Sequence, residues 1–316
     1  MVLSLEPLTL ANLKVFESLV HDPSLAEEFD RLQGAGGMER LLTDPFGDPG
    51  LRWVARAEAA PAGVSFGQIL PDRDGAWAMV RIGVVSSHRR QGIGEALLAR
   101  TMQHIAALEP KPRECCLSSW APNPEAAGFA TTHGFRHARF IWLMERPRRP
   151  GVTPPAVAWP AGVQVRLFDG SEGAFADWTA VYNESFANHY HFVSSTVGDS
   201  RALASASDFA ADGLALAYRD GRCVGFCRNE LYPSRGEIGL LGVVPEARGT
   251  GLGRALLRWG IGWLERSSAA RTTLMVDGEN ESALRLYRSE GFEVVRTREI
   301  WSRRAEESSP TEVMEH

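Results

Sequence analysis

The residues best suited to chemistry form a glycine-spaced turn, Arg248-Gly249-Thr250-Gly251-Leu252-Gly253, between a strand-like run and an amphipathic helical run. The opening turn of a helix carries backbone N–H groups without intrahelical acceptors, and the helix dipole adds partial positive charge there. Glycines at 249, 251 and 253 remove the β-carbons that would hold an anion away and let consecutive N–H groups converge. Such a turn can cradle a pyrophosphate, although one isolated copy would read the same with no ligand at all. A second string, Arg89-Arg90-Gln91-Gly92-Ile93-Gly94, offers the same cradle. Neither carries the Gly-Lys-Ser/Thr of a Walker loop or the spaced glycines and following acid of a dinucleotide fold.

The two cradles belong to a larger repeat. Residues 82–94, Ile-Gly-Val-Val-Ser-Ser-His-Arg-Arg-Gln-Gly-Ile-Gly, recur at 241–253 as Leu-Gly-Val-Val-Pro-Glu-Ala-Arg-Gly-Thr-Gly-Leu-Gly. Asn123 and Gly134-Phe135 recur as Asn280 and Gly291-Phe292, and the strand-like start at Leu3 is mirrored at Val163. Several landmarks in one order at near-constant spacing identify a tandem duplication. The expected domains are 1–147 and 163–304, joined by a linker at 148–162 and followed by a frayed tail at 305–316. The linker overlaps a stretch, 147–160, that holds five prolines, which disfavour helix and stiffen the chain.

Each copy predicts an α/β (α+β) unit, a mixed and mainly antiparallel sheet flanked by helices. In the second, strands are expected at 163–168, 214–218, 223–227, 237–244, 272–276 and 292–301. Arg219-Asp220-Gly221-Arg222 reads as a hairpin turn. A helix from near Thr250 puts Leu252, Ala255, Leu256, Trp259 and Trp263 on one face, and the two tryptophans read as core. A short helix is expected at 281–289.

Bulk properties agree with a globular two-domain protein. The chain has 316 residues, 44% hydrophobic and 23% charged, with net charge -5. That charge favours neither nucleic acid nor an anionic membrane. No signal-like leader and no bilayer-length apolar run occurs. Cys115, Cys116, Cys223 and Cys227 lack zinc or disulfide spacing and are expected to be buried, reduced thiols, which fits a cytoplasmic location.

The string Val243-x-Pro245-x-x-Arg248-Gly-x-Gly-x-Gly253 resembles the acetyl-CoA signature of the GNAT acetyltransferase superfamily. Asn280-x-x-Ala283-x-x-x-Tyr287-x-x-x-Gly291-Phe292 resembles that family's second coenzyme element. The duplication, with Gly236-Glu237-Ile-Gly-Leu-Leu-Gly-Val243, further resembles mycothiol synthase and related tandem acetyltransferases. The resemblance implies acetyl-CoA as co-substrate, with its pyrophosphate on Arg248, Gly249, Thr250, Gly251, Leu252 and Gly253. The pantetheine arm would lie along Leu241 and Val243, with Asn280 bonding its amides or simply capping the helix. In the first copy the corresponding set is Val84, Arg89, Arg90, Gln91, Gly92, Ile93 and Gly94.

Amine acetylation needs a base, a stabilised oxyanion and a proton for the leaving thiolate. The resemblance makes Glu237, eleven residues before Arg248, the candidate base; an exposed strand carboxylate is the alternative. Tyr287, seven residues after Asn280, is the candidate acid; a core aromatic is the alternative. The same counting in the first copy reaches Ala78 and Ala130, with Phe129 one place early, so that copy is expected to bind coenzyme or serve only as architecture. Relatives with the tandem layout point to His189, within Tyr182–Phe192, for acceptor binding. No metal-binding constellation stands out. The expected activity is N-acetyl transfer to a small-molecule amine by a monomer. A protein lysine or N-terminal acetyltransferase and a non-enzymatic acyl-CoA sensor remain as alternatives.

Overall fold

The computed structural model describes residues 2–29, 32, 37–44, 46–72, 75–148, 151, 156–206, 209–232, 235–267 and 269–304. The chain divides into two compact units: unit 1 comprises residues 1–140 with 298–316, and unit 2 comprises residues 141–297. This division differs from a cut at the proline-rich segment by two strand portions, 141–147 and 298–304. Most of that segment (149–150 and 152–155), like the tail at 305–316, lies outside the described residues.

In unit 1 the elements run β1 (Leu3–Pro7), α1 (Leu13–Val20), α2 (Gly37–Thr43), β2 (Trp53–Ala57), β3 (Ala60–Asp72) and β4 (Gly75–Val84). After these come α3 (Ile93–Ala106), β5 (Glu114–Ala121), α4 (Pro124–Thr132) and β6 (Arg136–Pro147), whose last seven residues count in unit 2. Strands β1 to β4 pair antiparallel, and β4 pairs parallel with β5 only from Trp77↔Glu114 to Val80↔Leu117. One core gathers Leu51, Val80, Leu98, Phe135 and Trp301, and a second gathers Phe16, Phe29, Val54 and Val64.

Unit 2 repeats the plan with β7 (Val163–Leu167), α5 (Glu172–Phe186), α6 (Val197–Ala204), β8 (Leu214–Arg219), β9 (Arg222–Tyr232) and β10 (Arg235–Val243). Then follow α7 (Leu252–Arg266), β11 (Arg271–Asp277), α8 (Glu281–Ser289) and β12 (Glu293–Arg304), whose residues from Arg298 onward count in unit 1. Its sheet order is β7-β8-β9-β10-β11-β6, antiparallel except for β10 against β11. The mixed, mainly antiparallel sheet expected of each copy is therefore present. The predicted face of α7 is buried: Leu252, Ala255, Leu256 and Trp263 enter the core, and Trp259 packs beside it. Trp263 also donates its indole N–H to Asp212 at 3.2 Å, which satisfies the one polar atom it brings inside.

All four cysteines are free and buried. Burial pushes the Cys115 and Cys223 thiols up to about 12 and Cys227 higher still. Among the described residues no helix is long and apolar enough to cross a membrane.

Candidate active site

In unit 2, β10 leads from a buried carboxylate to the cradle. Its ladder with β11 consists of Gly236↔Thr272 and Glu237↔Thr273, after which the two strands part. The register with β9 shifts between Ile238 and Leu240, so Gly239 is the extra residue of a β-bulge. A bulge takes backbone groups out of the ladder and re-aims side chains. A β-carbon on Gly239 would lie 2.5 Å from a Glu230 carboxylate oxygen, so a larger residue there would displace the Glu230 side chain. A glycine inside a strand is the sequence signal of such a bulge, and it was available in Gly236-Glu-Ile-Gly239.

Beyond Val243 the chain makes a tight turn at Pro245–Ala247 and then the cradle. Gly249 and Gly251 adopt left-handed backbone angles, φ 75° and 88°, and α7 starts immediately after. Arg248 does not point its guanidinium into open space. Its Nε donates to the Val243 carbonyl at 3.1 Å and Nη2 to the Ser185 carbonyl at 2.9 Å. The arginine thus fixes the turn's shape, tying the strand end to α5. Ser185 gave no sequence signal, because its contribution is a backbone oxygen. Thr250 donates its hydroxyl to the Ala247 carbonyl at 2.8 Å.

Unit 1 builds the same cradle. Arg89 donates from Nε to the Val84 carbonyl at 3.1 Å and from Nη2 to the Ser24 carbonyl at 3.3 Å. Gly92 sits at φ 81°, and Arg90 stands at φ 59° where the second copy has Gly249. A non-glycine residue in that region costs about 1 kcal/mol, so the turn holds its shape against a local preference. A cavity of about 490 Å³ opens on this cradle and is lined by β4, Ser119 of β5, Asn123, Phe129 and Glu28. The Ser119 hydroxyl is buried there with no hydrogen-bond partner.

Glu237 is 5% exposed, so it is not the exposed strand carboxylate considered above. Arg235 Nη2 lies 3.5 Å from its Oε2, and Glu230 stands directly opposite on β9. Tyr287 is 9% exposed, with its ring 6.1 Å from that of Phe292, so the core-aromatic reading holds for its packing. Burial first, and the Cys227 sulfur second, push its phenol up to about 12. Asn280 caps α8, accepting from the Ala283 N–H at 3.1 Å, as Asn123 caps α4 from Ala126 at 3.0 Å.

Counting residues misplaces one correspondence between the copies. Register from Val243↔Gly225 back to Glu237↔Glu230 crosses the bulge, whereas β3 and β4 pair without interruption. The row equivalent to Glu237↔Glu230 is therefore Met79↔Gln68, one place beyond Ala78. No carboxylate stands in either position. The match of Tyr287 to Ala130 survives: the Phe292 N–H bonds the Tyr287 carbonyl as the Phe135 N–H bonds that of Ala130.

His189 follows α5 with its ring 4.7 Å from that of Phe186. Partial burial, then the nearby Arg248 guanidinium, lower its pKa below the ordinary imidazole value, with Asp277 opposing. The electrostatics thus put His189 near the cradle of unit 2.

Comparison with known proteins agrees with this architecture. The sequence profile described as "Acetyltransferase (GNAT) family" matches residues 176–292, and one described as "Acetyltransferase (GNAT) domain" matches residues 48–137. A mycothiol acetyltransferase from Thermomonospora curvata is 36% identical over 225 residues, covering 70% of this chain and 72% of that protein. Another from Parafrankia sp. is 32% identical over 295 residues, covering 83% and 88%. Among solved structures, a GCN5-related N-acetyltransferase from Sphaerobacter thermophilus superposes with a TM-score of 0.75 at 22% identity, covering 96% of this chain and 95% of that one. A tandem GNAT protein from the clavulanic acid biosynthesis pathway superposes with a TM-score of 0.73 at 19% identity, covering 98% and 100%. The two structures speak to fold alone, and the sequence relatives to family. This chain belongs to the GNAT acetyltransferase family, as an acyl-CoA-dependent acetyltransferase with two such domains in tandem.

Proposed function

We propose that acetyl transfer to a small-molecule amine takes place in unit 2, with Glu237 as base and Tyr287 as acid. The observation that carries this reading is one stretch of β10: a buried carboxylate, a bulge just after it, and a glycine cradle at the strand's end. Acetyl-CoA would set its pyrophosphate on the first-turn N–H groups of α7 and its pantetheine along Leu241 and Val243, within reach of Asn280. The similarity to mycothiol acetyltransferases supports a small acceptor over a protein lysine or N-terminus. His189 is the acceptor-side residue in this scheme.

In the reaction, Glu237 takes one proton from the acceptor ammonium, which frees the nitrogen lone pair to attack the thioester carbon. Negative charge then gathers on the thioester oxygen, where backbone N–H groups released at the bulge can meet it. As the C–S bond breaks, the electron pair leaves with sulfur and the thiolate takes the Tyr287 proton. The remaining extra proton on nitrogen restores the phenol, and Glu237 returns its own to solvent. Burial keeps Tyr287 protonated before the reaction, so it acts as donor and not as base.

For unit 1 we propose coenzyme binding without turnover. The cavity at its cradle supports binding, and Met79 and Ala130 in the equivalent positions supply neither base nor acid. The test is thiol release from acetyl-CoA over a panel of cysteamine, L-cysteine, D-glucosamine, spermidine and L-lysine. Glu237→Gln should lower kcat about 10²- to 10⁴-fold with little change in KM for acetyl-CoA. Arg248→Glu should abolish thiol release while calorimetry still records one bound acetyl-CoA. Activity of Glu237→Gln within twofold of the parent would remove Glu237 from the mechanism.

A further inference from the structure

The face of the unit 2 sheet that carries Glu237 holds an ordered set of charges. In β9–β10 register, Arg235 stands opposite Tyr232, and Glu237 opposite Glu230. Antiparallel partners project to one side, so these four side chains form a square on the face covered by α5. A β-carbon on Gly242 of the same strand would meet Ser185 of α5, which identifies that side. Within the square, the Arg235 guanidinium stacks 4.4 Å from the Tyr232 ring centroid and lies 3.5 Å from Glu237. The Tyr232 hydroxyl donates to Glu230 Oε2 at 2.6 Å, and Arg228 Nη2 donates to Glu230 Oε1 at 2.6 Å.

Two carboxylates directly opposite each other destabilise a strand pair. Here each is matched by its own guanidinium, Glu230 by Arg228 and Glu237 by Arg235. The chain of contacts has a direction. Arg228 orients Glu230, Glu230 pins the Tyr232 hydroxyl, and Arg235 packs over the Tyr232 ring with its charge reaching Glu237. An isolated, half-exposed ion pair at a hairpin end would contribute little. A guanidinium fixed by a ring and a hydrogen-bond relay loses less freedom per contact.

The duplication supplies an internal control. In the corresponding rows of β3 and β4, unit 1 has Met79 opposite Gln68 and Trp77 opposite Leu70. Where the carboxylate is missing, the arginine, the tyrosine and the second carboxylate are missing too. The square accompanies the base and is not a requirement of the fold.

We propose that Arg235, held by the Tyr232–Glu230–Arg228 relay, is the positioning residue that keeps the Glu237 carboxylate aimed for proton abstraction. This rests on the assignment of Glu237 as the base. β9 gives this face Arg228, Glu230 and Tyr232, β10 gives it Arg235, and the register continues through β11 to Glu145 of β6, which Arg271 approaches at 3.5 Å. Thr273 of β11 lies beside Glu237, and Tyr182 of α5 feels the Arg228 charge. A carboxylate held by a fixed guanidinium keeps one orientation toward the acceptor, so loss of Arg235 should be read in the rate and not in coenzyme binding.

The test compares Arg235→Gln, Arg235→Lys, Tyr232→Phe and Glu237→Gln in the full-length protein, using the fastest amine of the panel above. Arg235→Gln should lower kcat/KM at pH 7 about tenfold or more, with the KM for acetyl-CoA within about threefold of the parent. Arg235→Lys, which keeps the charge without the planar fork, should restore part of the rate, and Tyr232→Phe should fall between parent and Arg235→Gln. If Arg235→Gln leaves the rate unmoved, or raises the KM for acetyl-CoA as much as it lowers kcat/KM, while Glu237→Gln loses activity about 10²-fold, the positioning role falls and the base assignment stands. If Glu237→Gln itself stays within twofold of the parent, both fall together.

Discussion

At the residue scale, Tyr287 is a core side chain to which the proposed mechanism also gives a chemical role. Its ring belongs to the unit 2 core and its phenol is pushed up to about 12 by burial. The folded state thus prefers the neutral form more strongly than the unfolded chain, in which tyrosine titrates near ~10. The resulting stability is fully present below about pH 10 and is lost as pH rises toward 12. Tyr287→Phe keeps the ring and removes the titration. Stabilities from urea melts should therefore fall more steeply from pH 9 to 11.5 in the parent than in Tyr287→Phe, by about 2 kcal/mol in the difference. At pH 7.5 the same variant should lose about 10²-fold in kcat. Parallel alkaline profiles would mean that the phenol is not as buried as its surroundings indicate. Tyr287 and Asn280 were legible in the sequence because helix α8 is short and capped, so spacing along the chain is spacing along the helix. Glu237 was legible only through family resemblance. The square around it was not, because the strand that holds Arg228, Glu230 and Tyr232 runs to residue 232, five beyond the expected end.

At the element scale, the two cradles demonstrate that glycine is needed at one position and dispensable at another. Gly251 and Gly92 both precede their helices in the left-handed region, whereas Gly249 is matched by Arg90 in that same region. A β-carbon at Gly249 or Gly251 meets nothing within 4 Å, so any penalty there is backbone strain and not collision. Gly249→Arg should accordingly fold with a loss of about 1–2 kcal/mol and bind acetyl-CoA within about threefold of the parent. Gly251→Ala carries similar strain at the residue whose N–H opens the helix, and should raise the KM for acetyl-CoA about tenfold. Equal KM effects of the two variants would show that the cradle's glycines act by strain alone. Sequence reading found both cradles and the strands around them, since turn chemistry and helix periodicity are local. It missed the one-residue bulge at Gly239, and with it the equivalence of Glu237 to Met79, because register is a property of paired strands and not of either strand alone.

At the scale of the whole molecule, the informative feature is which residues complete each unit. Unit 1 includes residues 298–304 from the far end of the chain, and Trp301 is buried in its core with Leu51, Val80, Leu98 and Phe135. Local pattern predicts a strand at these residues but cannot say which sheet receives it. The consequence is topological: unit 1 closes its core with contacts spanning some two hundred residues of sequence, which delays closure until the last strand is available. Unit 2, by contrast, draws all its residues from 141–297, so its sheet can form earlier than that of the copy preceding it. Trp301→Ala should remove about 3–5 kcal/mol from unit 1, in line with deletion of a buried indole. Amide exchange should then quicken in β4 and β5, while α7 and β9 keep the protection of the parent. Thiol release, which the proposed chemistry assigns to unit 2, should persist at temperatures where β4 and β5 already exchange. Equal acceleration in α7 would mean instead that the two units unfold as one cooperative body, and the division of the chain would then describe contacts without describing stability.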